Sequence, residues 1–439
     1  MNQVSELFEK IEKSELKVGI IGLGYVGLPL AVAFARQGFV TTGLEVSNEK
    51  VQLVNDGENY IADIDNDEFK ELVAKRFLSA TTDFSVIGSL DFIAICVPSP
   101  LDRFGQPDMS YIRTSVESVG AHLTKPTIIV LESTTYPGTT EELVKPLLEK
   151  QSGLTCESDF YLGYSPERVD PGNEFYKTGN TPKVIGGIGK DASNLICAVY
   201  KRILSVEVYP VSSPSVAEME KLLENAYRYV NIAFINEMAM LCERMKINIW
   251  EVISAANTKP YGFQAFYPGP GPGGHCIPLD PSYLSWKAKE FVFHTSIIEA
   301  AASINDRMPE YCVTRTAALL NTVKKPINGS KILVLGVAYK PNIDDYRESA
   351  ALKLIDLLEK RGAEVFFYDP YVAEYTFEGK KRIGLSSIDE QSVSSFDIVI
   401  IATAHSNINY ALVQMNAHMV FDTKNAMDSI TERANIFLL

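Results

Sequence analysis

A cluster of three glycines near the start of the chain constrains its fold most strongly. Gly22 lies near the end of an apolar, β-branched run at residues 17–23 (KVGIIGL), Gly24 and Gly27 follow that run, and a helical pattern begins there. In such a strand–turn–helix unit the first glycine makes a tight turn, the second lets a pyrophosphate approach the backbone, and the third allows close helix–strand packing. The helix N-terminus then faces the phosphates. This spacing predicts a dinucleotide-binding unit, and a glycine-rich turn without a ligand is the alternative.

An acidic residue then indicates which dinucleotide is bound. Glu45 closes the second predicted strand, residues 40–45. A carboxylate there binds the ribose 2′-hydroxyl and repels a 2′-phosphate, which favours NAD over NADP, although Lys50 nearby weakens the argument. Ser99 and Thr134 follow later predicted strands, where a doubly wound sheet places its ligand crevice, and each is equally well explained as a plain turn residue.

Alternating strand and helix patterns continue to about Val211 and return near the C-terminus. Between them, residues 215–245 predict one long helix, and residues 281–323 predict helix interrupted near Pro309. We expect an α/β protein with two Rossmann-like, doubly wound parallel-sheet domains joined by a central helical domain. The predicted boundaries are 1–212 for the NAD-binding domain, 213–325 for the helical domain and 326–439 for the third domain.

Composition excludes several classes of function. The chain has 439 residues and a net charge of −14, so it lacks the basic surface that nucleic acid or an anionic membrane requires. Its six cysteines include no CxxC pair, which argues against structural zinc and a disulfide framework and fits the cytoplasm. The N-terminal segment is charged and amphipathic, unlike a signal peptide, and no apolar run predicts a membrane span.

A proline- and glycine-rich loop surrounds one cysteine. Residues 267–280 read YPGPGPGGHCIPLD, with Cys276 followed four residues later by Asp280. Glycines let the thiol approach a substrate and prolines stiffen the loop, whereas inert cysteines such as Cys96 and Cys197 lie in apolar runs. Cys276 is therefore the candidate nucleophile. His275 is open to three readings, a metal ligand, a base or a local loop role, and the loop role is favoured because adjacent His and Cys are not a usual zinc pattern, so no metal is expected.

Several segments occur in an order that is specific to one family. They read GLGYVGLP, ESTTYPGTT, YSPERVDPG, EMEKLLENAYRYVNIAFINE, GPGGHCIPLDP and LGVAYKPNIDDYRES. The chain resembles the UDP-glucose/GDP-mannose dehydrogenase family over nearly all of its length. The resemblance implies oxidation of a UDP-sugar alcohol to an acid with two NAD, through a hemithioacetal and a thioester on Cys276. It also implies a homodimer and a role in surface polysaccharide synthesis.

The resemblance assigns roles position by position. It implies that Asp280 orders or activates water, that Lys221 and Asn225 stabilise an oxyanion, that Glu167 assists thioester hydrolysis, and that Thr134 touches cofactor and water. The implied cofactor positions are Gly22, Gly24, Val26, Gly27, Glu45, Lys50, Ser99, Thr134 and Arg347. The implied substrate positions are Glu167, Arg168, Val169, Lys221, Asn225, Tyr267, Gly273 and Lys340. By spacing alone, Lys221 is an ordinary solvated helix lysine, Lys340 a turn residue and Arg347 a helix charge.

Two departures bear on the substrate. UDP-glucose enzymes of the family often carry lysine where this chain has Leu279, and the loop before Gly273 is richer in proline here. We expect that loop to line the sugar pocket, and the match is closest to the branch that oxidises UDP-N-acetylglucosamine. UDP-glucose, UDP-N-acetylgalactosamine and UDP-N-acetylmannosamine remain alternative substrates. A non-catalytic sugar-nucleotide sensor and a simple two-electron dehydrogenase are the alternatives from other classes.

Overall fold

The computed structural model describes residues 3–61, 63–169, 173, 175–274 and 276–439, without the side chain of Cys276. It forms two compact units. The first unit comprises Met1–Glu224 and Ser282–Val292, and the second comprises Asn225–Pro281 and Phe293–Leu439.

The first unit is built on an eight-stranded sheet. Its strands are β1 (Lys17–Ile21), β2 (Val40–Leu44), β3 (Leu78–Thr81), β4 (Phe92–Ile95), β5 (Ile128–Leu131), β6 (Tyr161–Tyr164), β7 (Lys183–Gly187) and β8 (Val208–Val211). Their order is β3-β2-β1-β4-β5-β6-β7-β8, and every pair is parallel except β6 and β7. Because β1 lies between β2 and β4, the strand order reverses there, which is where such sheets bind ligands.

Helices cover both faces of this sheet. They are α1 (Gln3–Glu12), α2 (Gly27–Arg36), α3 (Asn48–Asn55), α4 (Asn66–Ala74), α5 (Ser110–His122), α6 (Lys145–Ser152) and α7 (Gly189–Ile203), with a π-type turn at Thr140–Val144 and a 3₁₀ turn at Phe84–Ser89. Strands β4 (FIAI) and β5 (IIVL) are buried along their whole length. Such continuous apolar runs are typical of parallel strands that are covered on both faces.

The central helices are α8 (Pro214–Met245), α9 (Ile249–Asn257), α10 (Cys276–Ala288) and α11 (Ser296–Thr322). The predicted interruption near Pro309 is wrong, because α11 runs through that residue. Proline removes the helical partner of the Asn305 carbonyl, and Gly271 lies against that oxygen: a Cβ at Gly271 would be 3.4 Å from it. The break comes earlier, after α10, in a 3₁₀ turn (Lys289–Phe291) followed by Val292 at a φ of 53°.

The second unit carries its own parallel sheet. Its strands are β9 (Lys331–Leu335), β10 (Glu364–Tyr368), β11 (Glu374–Phe377), β12 (Lys380–Ile383), β13 (Ile398–Ile401), β14 (Val420–Asp422) and β15 (Ile436–Leu438). The order β10-β9-β13-β14-β15 is parallel throughout, and β11 and β12 form a separate hairpin. The remaining helices are α12 (Ala350–Lys360), α13 (Glu390–Ser394) and α14 (Tyr410–Asn416). The predicted α/β class, with two parallel sheets and a helical region between them in sequence, is confirmed.

Within the part of the chain that the structure describes, none of the helices combines the length and the apolar character needed to span a bilayer.

Candidate active site

The glycine turn after β1 has the geometry of a dinucleotide cradle. Gly22 has a φ of 89°, and a Cβ at Gly27 would lie 1.9 Å from the Gly22 carbonyl oxygen, so neither position accepts a side chain. A Cβ at Gly24, in contrast, would project into open space, which leaves the backbone accessible to a ligand. Val26 follows as the N-cap of α2. These features fit a pyrophosphate seated on a helix N-terminus.

Glu45 lies at the end of β2, directly beside this turn. Its Oε2 accepts a hydrogen bond from the Leu23 N–H (3.0 Å), and its Oε1 accepts one from the Val46 N–H (2.9 Å). The Lys50 ammonium is 3.8 Å from Oε2. A carboxylate oxygen accepts more than one hydrogen bond, so Glu45 retains capacity for a ribose hydroxyl.

Ser99 and Thr134 follow β4 and β5 at the same edge of the sheet. Ser99 is buried, and its carbonyl accepts a hydrogen bond from the Tyr283 hydroxyl (2.7 Å). Thr134 is half-buried. The segment after Thr134 is held by Glu218 of α8, a fully buried carboxylate that accepts hydrogen bonds from the N–H groups of Gly138 (2.6 Å) and Thr140 (2.9 Å).

Glu167 follows β6 and lies in a buried ionic cluster of the first unit. Its Oε1 accepts hydrogen bonds from the backbone N–H groups of Arg168 (3.0 Å) and Val169 (2.8 Å), and its Oε2 is 3.4 Å from the Lys183 ammonium. Burial would raise the pKa of Glu167, but Lys183, the Val169 N–H and Lys221 together hold the pKa below its ordinary value. Glu167 is therefore an ionised carboxylate.

Two other predicted residues near Glu167, Lys221 and Arg168, differ in what their charged groups contact. Lys221 of α8 is buried and lies close enough to Glu167 to stabilise its charge. The Arg168 guanidinium is engaged elsewhere: it pairs with Glu224, lies 3.4 Å from Glu220 and donates to the Pro182 carbonyl (3.0 Å).

In the second unit, Asn225 and Asp280 form a buried pair. The Asn225 amide donates a hydrogen bond to Asp280 Oδ2 at 2.5 Å, and both side chains are nearly inaccessible. Cys276 begins α10, and Asp280 lies four residues along the same helix, a spacing that places two positions on one side. His275 and the side chain of Cys276 lie outside the described residues, so their predicted roles stay predictions.

The loop before Cys276 is anchored at several points of the second unit. The Gly269 N–H donates to Asn236 of α8 (3.0 Å), whose amide donates to Asn305 of α11 (3.0 Å). Gly273 packs on Tyr339, where a Cβ would come within 2.8 Å of the Tyr339 Cβ. Tyr267 is exposed and stacks on Trp250, with ring centroids 6.0 Å apart. The loop is thus held by both helices and by the segment after β9.

That same segment carries the predicted residues Lys340 and Arg347. Lys340 is half-buried, and Arg347 is exposed and forms an ion pair with Asp345 (2.7 Å). The sequence analysis did not identify the two residues that hold this segment in place, Asp369 and His405. Asp369, at the end of β10, accepts the Val337 N–H (2.7 Å), and the buried ring of His405 accepts the Asn342 N–H (3.0 Å).

Sequence reasoning also missed Lys183, Glu132, Glu218 and Asn236. One available signal was a charged or amide residue inside an otherwise apolar run, as in PKVIGG and IIVLES, and another was the place of Glu132, Glu218 and Asn236 within the family segments quoted above. Such residues are buried only when partnered, so an isolated one in a predicted strand is a signal worth testing.

The glycine turn, the acidic strand end and the mainly parallel sheet of the first unit together define an NAD-binding domain, of the kind that NAD-dependent oxidoreductases use. Comparison with known proteins gives the family. Models of the UDP-glucose/GDP-mannose dehydrogenase family match residues 16–204 (NAD binding domain), 215–307 (central domain) and 333–429 (UDP binding domain). The chain belongs to this family, with NAD as cofactor and a UDP-sugar as substrate.

Individual relatives differ in the sugar they are named for. The chain is 34% identical to a UDP-N-acetyl-D-glucosamine 6-dehydrogenase of Pseudomonas aeruginosa, over 94% of this chain and 98% of the relative. It is 37% identical to a protein of the same name from Salmonella typhi, over 89% and 90%. The solved structure of a UDP-D-ManNAc dehydrogenase from Pyrococcus horikoshii superimposes with a TM-score of 0.87 at 32% identity, covering 96% of this chain and 98% of the other.

Proposed function

We propose that the chain oxidises C6 of UDP-N-acetylglucosamine to the uronate, with two NAD reduced per sugar. The observation that carries the proposal is the buried hydrogen bond from the Asn225 amide of α8 to the Asp280 carboxylate, which lies on the helix that begins at Cys276. Hydride transfer from an alcohol needs a base and an oxyanion donor, and thioester hydrolysis needs ordered water. An inert helix end needs none of these groups.

The chain's own residues divide the work. Lys221 and Asn225 stabilise the alkoxide that develops at C6, since a cation and an amide donor both favour negative charge on oxygen. NAD, when bound at the glycine turn, supplies the hydride acceptor. The Cys276 thiolate adds to the aldehyde, and the resulting hemithioacetal would lose its hydroxyl proton to a base of the site and a hydride to a second NAD, which leaves a thioester on Cys276. Asp280 and Glu167 orient the water that releases the acid.

The choice of sugar rests on the proline-rich loop before Cys276, on Leu279 after it, and on relatives. Leu279 replaces a lysine frequent in UDP-glucose enzymes, and two relatives are named for UDP-N-acetyl-D-glucosamine. UDP-N-acetylmannosamine is the second candidate, favoured by the structural similarity to the Pyrococcus horikoshii protein.

Three further proposals concern the setting of the reaction. We retain the three-domain division at 1–212, 213–325 and 326–439. We place the enzyme in the cytoplasm, which is supported by five free cysteines among the described residues. A role in surface polysaccharide synthesis is proposed from the family resemblance alone. We propose a homodimer in which α8 of each copy takes part.

NADH release from a panel of UDP- and GDP-sugars tests the substrate. Rapid turnover with UDP-N-acetylglucosamine, two NADH per sugar and slow turnover with UDP-glucose are the expected results. Faster turnover with UDP-N-acetylmannosamine would replace the proposed sugar and leave the chemistry intact. One NADH per sugar would contradict the thioester route.

A further inference from the structure

A buried ionic cluster extends inward from Glu167. Lys183, the first residue of β7, is 5% exposed, and its ammonium lies 2.6 Å from Oε2 of Glu132 at the end of β5. Glu132 is 2% exposed, and its Oε1 accepts a hydrogen bond from the Tyr200 hydroxyl of α7. The same Lys183 ammonium reaches Glu167 Oε2 at 3.4 Å. One lysine therefore bridges two carboxylates inside the first unit.

Solvent reaches this cluster at the Glu167 end. Counting side-chain atoms alone rather than whole residues, Glu167 is 16% exposed, whereas Glu132 and Lys183 are 0% and 7% exposed. Burying charged groups is costly even when they are paired, and apolar side chains would fill the same space at least as stably. The cluster is sealed from solvent at one end and open at a predicted catalytic carboxylate. Its effect on that carboxylate therefore explains it better than a contribution to the stability of the fold.

The geometry of Glu167 shows what the effect is. Backbone N–H groups of Arg168 and Val169 hold Oε1, and Lys183 holds Oε2, so the carboxylate plane is held at both oxygens. Among the described residues, the titratable and charged groups that face the cluster are Cys96, Glu132, Glu167, Arg168, Lys183, Tyr200 and Lys221. Burial by itself lowers the pKa of Lys183, but Glu132 and Glu167 raise it above its ordinary value, so Lys183 stays charged.

We propose that Lys183 is a positioning residue that keeps Glu167 ionised and fixed in orientation for thioester hydrolysis, with Glu132 and Tyr200 holding Lys183 in place. The inference rests on the role proposed for Glu167. In that step water adds to the thioester carbonyl while its proton passes to Glu167. The C–S bond then breaks, Cys276 leaves as the thiolate, and the carboxylic acid is released.

The test compares Lys183→Met, Lys183→Arg and the double variant Glu132→Gln/Lys183→Met, which removes both buried charges and so avoids leaving Glu132 unpaired. Lys190→Met, on the exposed surface of α7, is the matched control. Single-turnover NADH release reports the hydride steps, and the pH profile of kcat reports hydrolysis. Circular dichroism confirms folding.

The acid limb of the kcat profile is the fall in kcat at low pH, where Glu167 becomes protonated. Without Lys183 this limb should move to higher pH by about one unit, since one pKa unit corresponds to about 1.4 kcal/mol of lost charge stabilisation. At a pH below the acid limbs of both wild type and variant, kcat should therefore fall about tenfold, and well above both limbs it should be unchanged. The single-turnover burst should change by less than about threefold, because hydride transfer precedes hydrolysis. Lys183→Arg should keep the wild-type acid limb, because it keeps the charge.

An unchanged acid limb in both Met variants would overturn the inference, as would equal loss in Lys183→Arg and Lys183→Met. A different result would contradict the proposed function itself. If wild type released one NADH per sugar, the thioester route would be wrong, and the role of Lys183 would be wrong with it. Two NADH per sugar in wild type, together with an unshifted profile in the variants, refutes the role of Lys183 alone.

Discussion

Cys276 is the residue on which the proposed chemistry depends, because a thiol that bonds to the aldehyde carbon holds it as a hemithioacetal, from which the same site can remove a second hydride. The sequence singles it out by its loop, and the structure shows how that loop is held, through Gly269 on Asn236 and Gly273 on Tyr339. The loop that precedes this residue is therefore held by anchors remote from it in sequence.

Replacing Cys276 with serine should separate the two oxidations. We expect Cys276→Ser to lower acid formation by about a thousandfold or more while the first hydride transfer survives, because the alcohol needs no thiol. The measurement is NADH per sugar with aldehyde trapped by a hydrazine reagent. Cys242→Ser, at a half-buried free cysteine of α8, is the control and should behave as wild type. Uronate produced at the normal rate by Cys276→Ser would refute the covalent route.

At the scale of elements, helix α8 links several predicted functions. Glu218, Lys221 and Asn225 occupy successive turns of it, and Glu218 caps the segment that follows Thr134. Burial raises the pKa of Glu218 to about 7, against the lowering effect of its hydrogen bonds to Thr140 and Gly138. The contact between α8 and this segment should therefore depend on pH.

The sign of that dependence follows from linkage. The folded protein holds the Glu218 proton more tightly than the unfolded chain, so stability is greatest below the unfolded pKa and falls as pH rises towards 7. Relative to Glu218→Gln, wild type should lose about 2 kcal/mol between pH 5 and pH 8. Urea unfolding of both proteins across this range measures it. The exposed Glu12→Gln should show no such difference, and a pH-independent gap between wild type and Glu218→Gln would contradict the prediction.

At the scale of the whole molecule, the proposed homodimer explains exposed apolar side chains on α8. Tyr227, Phe234 and Leu241 are 51%, 55% and 47% exposed and recur every seven residues, which aligns them on one face of the helix. Such a stripe is unfavourable in water and is covered when a second copy packs against it.

A charge placed in this stripe should prevent association. Leu241→Glu should shift the protein from dimer to monomer, measured by light scattering after size exclusion, because an unpaired carboxylate at an apolar interface is strongly unfavourable. Met415→Glu places the same charge on the exposed surface of α14 and should leave the dimer intact. A wild-type protein that is monomeric, or a dimer unaffected by Leu241→Glu, would exclude α8 as the interface.

Much of the architecture was predictable from sequence. The strands β1, β9 and β10 lie where apolar runs indicated, and α8 differs from its predicted span by one residue at its start. The antiparallel pairing of β6 with β7 was not predicted, because strand direction depends on how the chain returns to the sheet rather than on its apolar pattern. The predicted interruption of the helix near Pro309 was wrong, because a helix tolerates proline where the neighbouring backbone accommodates it.

The sequence by itself determined the fold class, the glycine turn, the acidic residue at the end of β2 and the thiol loop. Each is a local property of the chain. It is indicated by the periodicity of apolar residues, by glycines at positions whose φ only glycine adopts freely, or by the spacing of residues a few positions apart. Only the tertiary structure decided which charges share a buried site. Lys183 lies 51 residues from Glu132, and Gly138 lies 80 from Glu218. No local pattern distinguishes a lysine buried between two carboxylates from one in water, because the difference is set by what the sheet packs around it.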